Sequence, residues 1–143
     1  MYGRILVPLE NSPADETVLA HVVDLAKALE SAIILIHVAD GFAARYMGGL
    51  GLRESEEIQQ DRAYLKSVSN RLESQGFEVD AVLAAGDPAK EIAAAAERER
   101  CDLIAMSTHG HRLLSDLMRG STATSLRHAT KVPILMVRAE HAT

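Results

Sequence analysis

Five short apolar runs, separated by longer stretches with helical periodicity, limit what this chain can fold into more than any other feature of its sequence. The runs cover residues 5–7, 33–38, 79–85, 103–106 and 134–137. Most of them are apolar at successive positions, and a strand has this pattern when both faces of its sheet are covered. We therefore predict five strands of a parallel sheet.

The stretches between the runs predict four helices. Ser12-Pro13-Ala14-Asp15 is a start signal, with Ser12 as the N-cap, Pro13 at the first helical position and an acid three residues after the cap. Apolar residues follow at helical spacing, at Val18, Val22, Leu25 and Leu29. The other three helices are predicted from the stripe of Ile58, Leu65, Val68 and Leu72, from the start at Asp87-Pro88, and from the segment after Gly120-Ser121.

This alternation of strands and helices predicts an α/β fold, with one doubly wound parallel sheet and helices on both of its faces. The chain has 143 residues, close to the size of one domain, and its sequence contains no internal repeat and no linker. We therefore predict a single domain over residues 1–143. The glycine-rich segment at residues 41–53 is either a plain connection or a lid over the strand ends.

Composition excludes several classes of partner. Fifteen Lys and Arg residues against twenty Asp and Glu give a net charge of −5, and aromatic residues make up 3% of the chain. Nucleic-acid binding needs clustered positive charge or stacking platforms, so we predict no nucleic-acid partner. No run approaches the roughly 18 apolar residues of a membrane span, and the N-terminus lacks the pattern of a signal peptide. With a single cysteine, Cys101, these features predict a cytoplasmic protein.

Sequence signatures of catalysis are missing. The chain contains no Walker A motif, no strand-to-helix G-x-G-x-x-G turn and no G-x-S-x-G elbow, and spacing assembles no carboxylate pair or Ser/His/Asp set. His109 and His111 flank Gly110 in a predicted loop without a cysteine or carboxylate cluster, so we predict no metal site. Cys101 is predicted to be a partly buried small hydrophobe, and His37 to pack or hydrogen-bond at the end of the sheet.

The segment after the fourth strand has the strongest binding signal. In doubly wound sheets, ligands bind at the carboxyl ends of the strands, where the strand order reverses. Gly110 and Gly120 bracket nine residues there, and Gly120-Ser121-Thr122 stands where a helix begins. Glycines allow close backbone approach, and a helix N-terminus favours phosphate. The alternative is that Ser121 caps the helix and Gly110 turns the chain.

The chain resembles the universal stress protein family over nearly its whole length. The resemblance lies in residues 5–12 (Ile-Leu-Val-Pro-Leu-Glu-Asn-Ser), His37-Val38, Gly86-Asp87-Pro88, Ser107-Thr108-His109-Gly110 with Gly120-Ser121, and residues 132–137. It implies the strand order 3-2-1-4-5. The nucleotide-binding branch carries G-x-x-G, nine residues, then G-[S/T], which Gly110, Gly120 and Ser121 match. Ser107 replaces the first glycine of that pattern, and Glu10 replaces its aspartate after strand one.

The resemblance implies binding of ATP or another adenine nucleotide in a regulatory stress-response module that is not an enzyme. It places Pro8, Leu9, Glu10 and Val38 around adenine and ribose, Met106 and Ser107 on the other side, and Gly110, Gly120, Ser121 and Thr122 at the phosphates. Mg²⁺ would be held through the phosphates alone, and Arg112 and Arg119 either neutralise them or face solvent. The alternatives are a member that binds no nucleotide and acts through protein contacts, and a slow ATP hydrolase.

The last predicted strand suggests self-association. Val132-Pro133-Ile134-Leu135-Met136-Val137 is apolar, and the strand order places it at the edge of the sheet, where unpaired backbone groups invite another strand. We predict a two-fold homodimer in which this strand pairs with its copy, as the resemblance also implies. The alternative is a monomer whose edge is covered by its own tail or by residues 41–53.

Overall fold

A computed structural model describes residues 1–39, 56–108 and 121–139 of the chain. It contains the predicted alternation of strands and helices. The elements are β1 (Arg4–Pro8), α1 (Ala14–Leu29), β2 (Ala32–Ala39), α2 (Glu56–Ser74), β3 (Val79–Ala85), α3 (Pro88–Arg98), β4 (Leu103–Thr108), α4 (Ser121–Ala129) and β5 (Ile134–Arg138). In the part of the chain described, no helix is long and apolar enough to cross a membrane.

The five strands form one parallel sheet in the order β3-β2-β1-β4-β5, which confirms the predicted fold. β1 is central, and Ile5 pairs with Ile33 of β2 on one side and with Leu103 of β4 on the other. The chain first winds outward from β1 to β3 and then crosses back to β4 and β5. The winding direction therefore reverses between β1 and β4.

Two cores cover the two faces of the sheet. Alternation along β1 sends Ile5 and Val7 to the face packed by α1 and α2, and Leu6 to the opposite face, packed by α3 and α4. All three side chains are buried. This placement explains why β1 is apolar at successive positions, since a central strand has no solvent-facing side.

The start of α1 lies one residue later than predicted, at Ala14. Pro13, the residue before it, already has helical dihedral angles (φ −58°, ψ −22°), which fits the predicted first helical position. The Ser12 hydroxyl accepts a hydrogen bond from the Ala14 N–H at 3.3 Å, as expected of a side chain that caps this helix. The predicted apolar stripe also ends earlier: Leu29 is 39% exposed, and Ala26 takes the last buried position of the helix.

Cys101 packs as a small hydrophobe in the core beneath α3 and α4, and it is more fully buried than predicted. Burial raises the pKa of its thiol to about 11. The side chain therefore remains a neutral thiol at physiological pH and contributes to packing.

Candidate functional site

The carboxyl edge of the sheet between β1 and β4 is the candidate site. β1 pairs with β2 over five residues, but with β4 over two, Ile5 with Leu103 and Leu6 with Ile104. The helices that follow these two strands pack on opposite faces, α1 with Ile5 and Val7 and α4 with Leu6. A parallel sheet opens a crevice where its winding reverses in this way.

The structure brings several predicted site residues to this edge. Pro8 ends β1, Leu9 and Glu10 follow it, and Met106 and Ser107 lie near the end of β4. The side chains of Leu9 and Met106 are buried in the cores on opposite faces of the sheet. Pro8 and Glu10 are partly buried.

Val38 is one strand further away, near the end of β2, and packs against the core on the α3 and α4 face. Ser121 is the first residue of α4, and Thr122, which follows it, is partly buried. The other residues predicted to serve the site or to cover it lie outside the described residues; they are Gly110, Gly120, Arg112, Arg119, His109, His111 and the segment 41–53.

Asp15 organises the loop that joins β1 to α1, a role that the sequence did not reveal. Its side chain is fully buried. The carboxylate accepts hydrogen bonds from three consecutive backbone N–H groups, those of Glu10 (2.9 Å), Asn11 (2.8 Å) and Ser12 (3.3 Å). Burial raises the pKa of Asp15, and these hydrogen bonds offset part of that rise. The signal in the sequence was an acid three residues after Ser12, which we attributed to helix capping alone.

Tyr64 of α2 completes the bonding of Asp15. Its hydroxyl donates to the Asp15 carboxylate at 2.6 Å across 49 positions of sequence. Burial and the neighbouring Asp15 raise the pKa of Tyr64 well above its usual value, so the side chain remains a phenol and keeps its proton as a donor. The β1–α1 loop is therefore tied to α2 as well as to its own helix.

A second buried carboxylate, Asp61 of α2, holds the same loop from another direction. Asp61 Oδ1 accepts a hydrogen bond from the Asn11 side-chain amide at 3.1 Å, and Asp61 Oδ2 lies 3.1 Å from Nε2 of His37. The other ring nitrogen of His37, Nδ1, donates to the carbonyl of Leu9 at 2.8 Å. The predicted hydrogen bonding of His37 at the sheet end is confirmed.

Sequence reasoning missed Asp61, although a signal was present. It falls between Ile58 and Leu65 at the helical spacing of the predicted apolar stripe, and all three are buried on α2. A carboxylate in such a position must be bonded if it faces the core. Its partners are Asn11 and His37, which lie outside α2, so the spacing of residues along this helix could not identify them.

Glu10 and Ser107, two polar residues of the predicted site, differ in their hydrogen bonding. Glu10 Oε2 accepts a hydrogen bond from the Ser12 hydroxyl at 3.0 Å, which orients the carboxylate on the loop. Ser107 is 4% exposed, and its Oγ has no hydrogen-bond partner among the residues that the structure describes. Across those residues, no group of three or more His, Cys, Asp or Glu side chains is arranged to hold a metal ion.

A separate pocket of about 840 Å³ lies at the opposite, amino edge of the sheet, between the C-terminal ends of α1 and α2. Arg4 in its wall donates to the carbonyl of Glu99 at 2.7 Å, and buried Ser31 donates to the carbonyl of Tyr2 at 2.6 Å. Two of its polar side chains are thus bonded to the protein itself. The crevice at the carboxyl edge is the better candidate for a ligand.

Comparison with known proteins identifies the family. A model of the universal stress protein family matches residues 1–138. The chain belongs to the universal stress protein family. This confirms the resemblance drawn from the opening turn and the segment after β4.

Relatives from archaea align over almost the whole domain. A universal stress protein of Methanocaldococcus jannaschii is 28% identical, with 96% of each chain covered. One from Methanothermobacter thermautotrophicus is 31% identical over 96% of this chain and 97% of its own. The solved structure of the Methanocaldococcus protein superimposes with a TM-score of 0.80 at 27% identity, and the alignment covers 99% of both chains.

More distant relatives show the same fold. A universal stress protein solved in complex with cAMP has a TM-score of 0.69 at 16% identity, over 97% of this chain and 98% of its own. One from Archaeoglobus fulgidus, solved in complex with dAMP, has a TM-score of 0.70 at 18% identity, over 95% and 98% of the two chains.

Proposed function

We propose that this universal stress protein binds ATP or another adenine nucleotide at the carboxyl edge between β1 and β4, and acts as a regulatory binding module. One observation carries the proposal: the winding reverses between these strands, and the loop after β1 is held there in a fixed conformation by Asp15. A preformed loop lowers the ordering cost of binding.

The chemistry of the edge suits the two ends of a nucleotide. Leu9 and Met106 have buried side chains on opposite faces, so we expect their backbones to border the base. The Glu10 carboxylate, oriented by Ser12, can accept a hydrogen bond from a ribose hydroxyl. Phosphates would lie at Gly110, Gly120, Ser121 and Thr122, as the family pattern implies. The fold relatives solved with cAMP and dAMP support an adenine nucleotide as the ligand class.

Ser107 is compatible with this proposal. It replaces the first glycine of the nucleotide-binding pattern, but its side chain is buried within the fold. Alternation along β4 places it on the same face as Ala105, in the direction of the core beneath α1. We therefore expect the extra side chain to leave the edge open to the ligand.

Calorimetry with ATP tests the proposal, using two glycine variants. Gly120→Val introduces a branched side chain where phosphate should lie, and we expect it to abolish the binding heat. Gly3→Val is the matched control, because Gly3 lies at the opposite edge and a Cβ there meets nothing within 4 Å. A folded Gly120→Val protein that binds ATP as the parent does would move the site elsewhere.

Measurements on the parent protein also distinguish the two alternative hypotheses, action through protein contacts and slow ATP hydrolysis. If the parent yields no binding heat with ATP and carries no nucleotide through purification, the first alternative gains support. If product analysis after long incubation shows ADP in proportion to active protein, the module is a slow hydrolase. We propose binding without turnover, since the buried carboxylates at this edge, Asp15 and Asp61, are engaged in holding the β1–α1 loop.

We propose in addition that the protein forms a homodimer through β5. β5 pairs with β4 along one side, and its other side has no partner among the described strands. Met136 in the middle of β5 is 40% exposed, and an exposed apolar side chain on an unpaired strand edge favours association with another strand.

Light scattering tests this assembly. Met136→Lys brings like charges together across a two-fold axis, so we expect a monomer, whereas the parent should scatter as a dimer. Ala81→Lys is the matched control because Ala81 is exposed on β3, the opposite edge strand. A parent that stays monomeric at high micromolar concentration would exclude the dimer, and a dimeric Met136→Lys would place the interface away from β5.

A further inference from the structure

The His37 ring is hydrogen-bonded through both of its nitrogens. Nδ1 lies 2.8 Å from the carbonyl oxygen of Leu9, and Nε2 lies 3.1 Å from Oδ2 of Asp61. The side chains of His37 and Asp61 are both largely buried. Water is therefore poorly placed to substitute for either partner.

The Leu9 carbonyl and the Asp61 carboxylate together need two hydrogen-bond donors, and a neutral imidazole ring has one N–H. A carbonyl oxygen accepts hydrogen bonds and cannot donate, and the same holds for an ionised carboxylate. A neutral imidazole has one N–H, so it would turn a lone pair toward either Leu9 or Asp61. Both contacts are satisfied when His37 and Asp61 share one additional proton, whether it lies on Nε2 or on Oδ2.

The shared proton acts on the loop at two points that flank Glu10. His37 holds the carbonyl of Leu9, and Asp61 holds the side-chain amide of Asn11. Asn11 has a left-handed backbone, with φ of 65°, which fixes the direction in which the chain leaves Glu10. Loss of the proton would remove one contact and leave the buried Asp61 carboxylate with fewer donors.

The other titratable groups around the ring are engaged elsewhere. Asp15 of α1 and Tyr64 of α2 bond to each other, and Asp15 also bonds to the loop backbone. Glu10 accepts from Ser12, and the register neighbour of His37 on β3 is the apolar Leu83. Among the described residues, Asp61 is thus the charged group in contact with the His37 ring.

We infer that His37 is a positioning residue: with Asp61 it holds one shared proton that fixes the β1–α1 loop in its ligand-binding conformation. The inference rests on the proposed nucleotide function, because its consequence is a pH-dependent nucleotide affinity. While the shared proton is present, the loop is held at both Leu9 and Asn11. Its loss releases one of these contacts, and nucleotide affinity falls.

Asp61→Asn is the decisive variant because it removes the need for the proton without changing the shape of the side chain. Its amide oxygen can accept from Asn11, as Oδ1 does now, and its NH₂ can donate to Nε2 of a neutral His37. His37→Gln is the second variant, since it keeps a polar side chain but cannot bridge the two partners with a shared proton.

The measurement is the ATP affinity of the three proteins at about pH 6 and about pH 8, the range in which histidine titrates. From the lower to the higher pH, we expect the ATP affinity of the parent to fall about fivefold more than that of Asp61→Asn. A factor of this size is the low end of the coupling measured between linked sites. ATP itself titrates in this range, and Asp61→Asn in the same buffers corrects for that change. The ATP affinity of His37→Gln should depend on pH in the same way as that of Asp61→Asn.

Nitrogen NMR of the histidine rings tests the shared proton without any ligand. At pH 6 the His37 ring should have both nitrogens protonated, or one proton shared with Asp61, in the parent, and one unprotonated acceptor nitrogen in Asp61→Asn. The exposed His21 and His128 serve as references within the same spectra. Equal pH profiles of ATP affinity in parent and Asp61→Asn overturn the inference alone. Absence of ATP binding at both pH values overturns the proposed function and this inference with it.

Discussion

The acidic residues at the two edges of the sheet differ in their burial and in their hydrogen-bond partners. At the carboxyl edge, Asp15 and Asp61 are buried, and each is bonded to groups from distant parts of the chain. At the amino edge, Asp102 is exposed and accepts from the backbone N–H groups of Gly3 (3.3 Å) and Arg4 (3.2 Å), while Glu78 lies 4.0 Å from Arg4. Both edges are rich in polar groups, but one fixes a loop and the other remains an ordinary surface.

The difference shows which polar residues point to a functional site. A buried carboxylate is costly unless several donors converge on it, so its presence implies that the loop it holds must keep one conformation. An exposed carboxylate carries no such implication, because water replaces its partners at little cost. A pocket also lies at the amino edge, yet its surroundings give no comparable sign of preorganisation.

The largest effect should come from removing the acceptor at the carboxyl edge. Asp15→Ala leaves three loop N–H groups and the Tyr64 hydroxyl without their partner. We expect the free energy of unfolding to fall by about 3 kcal/mol, measured by urea denaturation. Asp15→Asn, which keeps one acceptor oxygen, should lose less. A loss below about 1 kcal/mol in Asp15→Ala would mean that the loop does not depend on this carboxylate.

Removing one donor from the same carboxylate should have an intermediate effect. Tyr64→Phe deletes the hydroxyl that donates to Asp15 at 2.6 Å and keeps the ring. The expected loss is about 1.5 kcal/mol, typical of a hydrogen bond to a charged group. A double-mutant cycle with Asp15→Ala should show coupling, since the hydroxyl loses its partner in either variant. Additive losses would indicate that the ring packing of Tyr64 matters and its hydroxyl does not.

The two edges should also respond to acid in opposite directions. Burial raises the pKa of Asp15, so the folded state holds its proton more tightly; its contribution is present at low pH and is lost as the pH rises above about 3.9. Although burial acts to raise the pKa of Asp102, hydrogen bonds from the backbone of Arg4 and Gly3 lower it on balance. Its contribution is therefore present above about pH 3.9 and is lost as the pH falls below that value.

Unfolding free energies measured from about pH 3 to pH 6 in Asp15→Asn and Asp102→Asn check these slopes. Relative to the parent, stability of Asp15→Asn should improve as the pH rises, and that of Asp102→Asn should worsen. Slopes of the same sign in both variants would contradict the contrast between the edges.

The smallest effect should come from the amino-edge ion pair. Glu78 is 78% exposed and lies 4.0 Å from Arg4, which also contacts Glu99. Glu78→Ala should change the unfolding free energy by about 0.5 kcal/mol or less, and added salt should reduce the difference further. A loss of unfolding free energy as large as that of Tyr64→Phe would show that specific interactions also hold the amino edge in place.

The strands and helices of this fold could be predicted from local sequence patterns. Apolar runs such as residues 5–7 and 103–106 became interior strands of the sheet, because a strand buried on both faces must be apolar at successive positions. The strand order came from the family resemblance and is confirmed. The glycine pattern at Gly110 and Gly120 lies outside the described residues, so the phosphate end of the site remains a prediction.

The polar contacts at the carboxyl edge could not be predicted in this way, because they join residues far apart in the sequence. Asp15 bonds to a tyrosine 49 positions away, and Asn11 bonds to an aspartate 50 positions away. Periodicity and capping signals extend over a few residues, so they assigned Asp15 to a helix start and gave Asp61 no role. The meeting of these groups depends on the crossover that lays α2 beside α1 on one face of the sheet, and that packing brings two buried carboxylates to one loop.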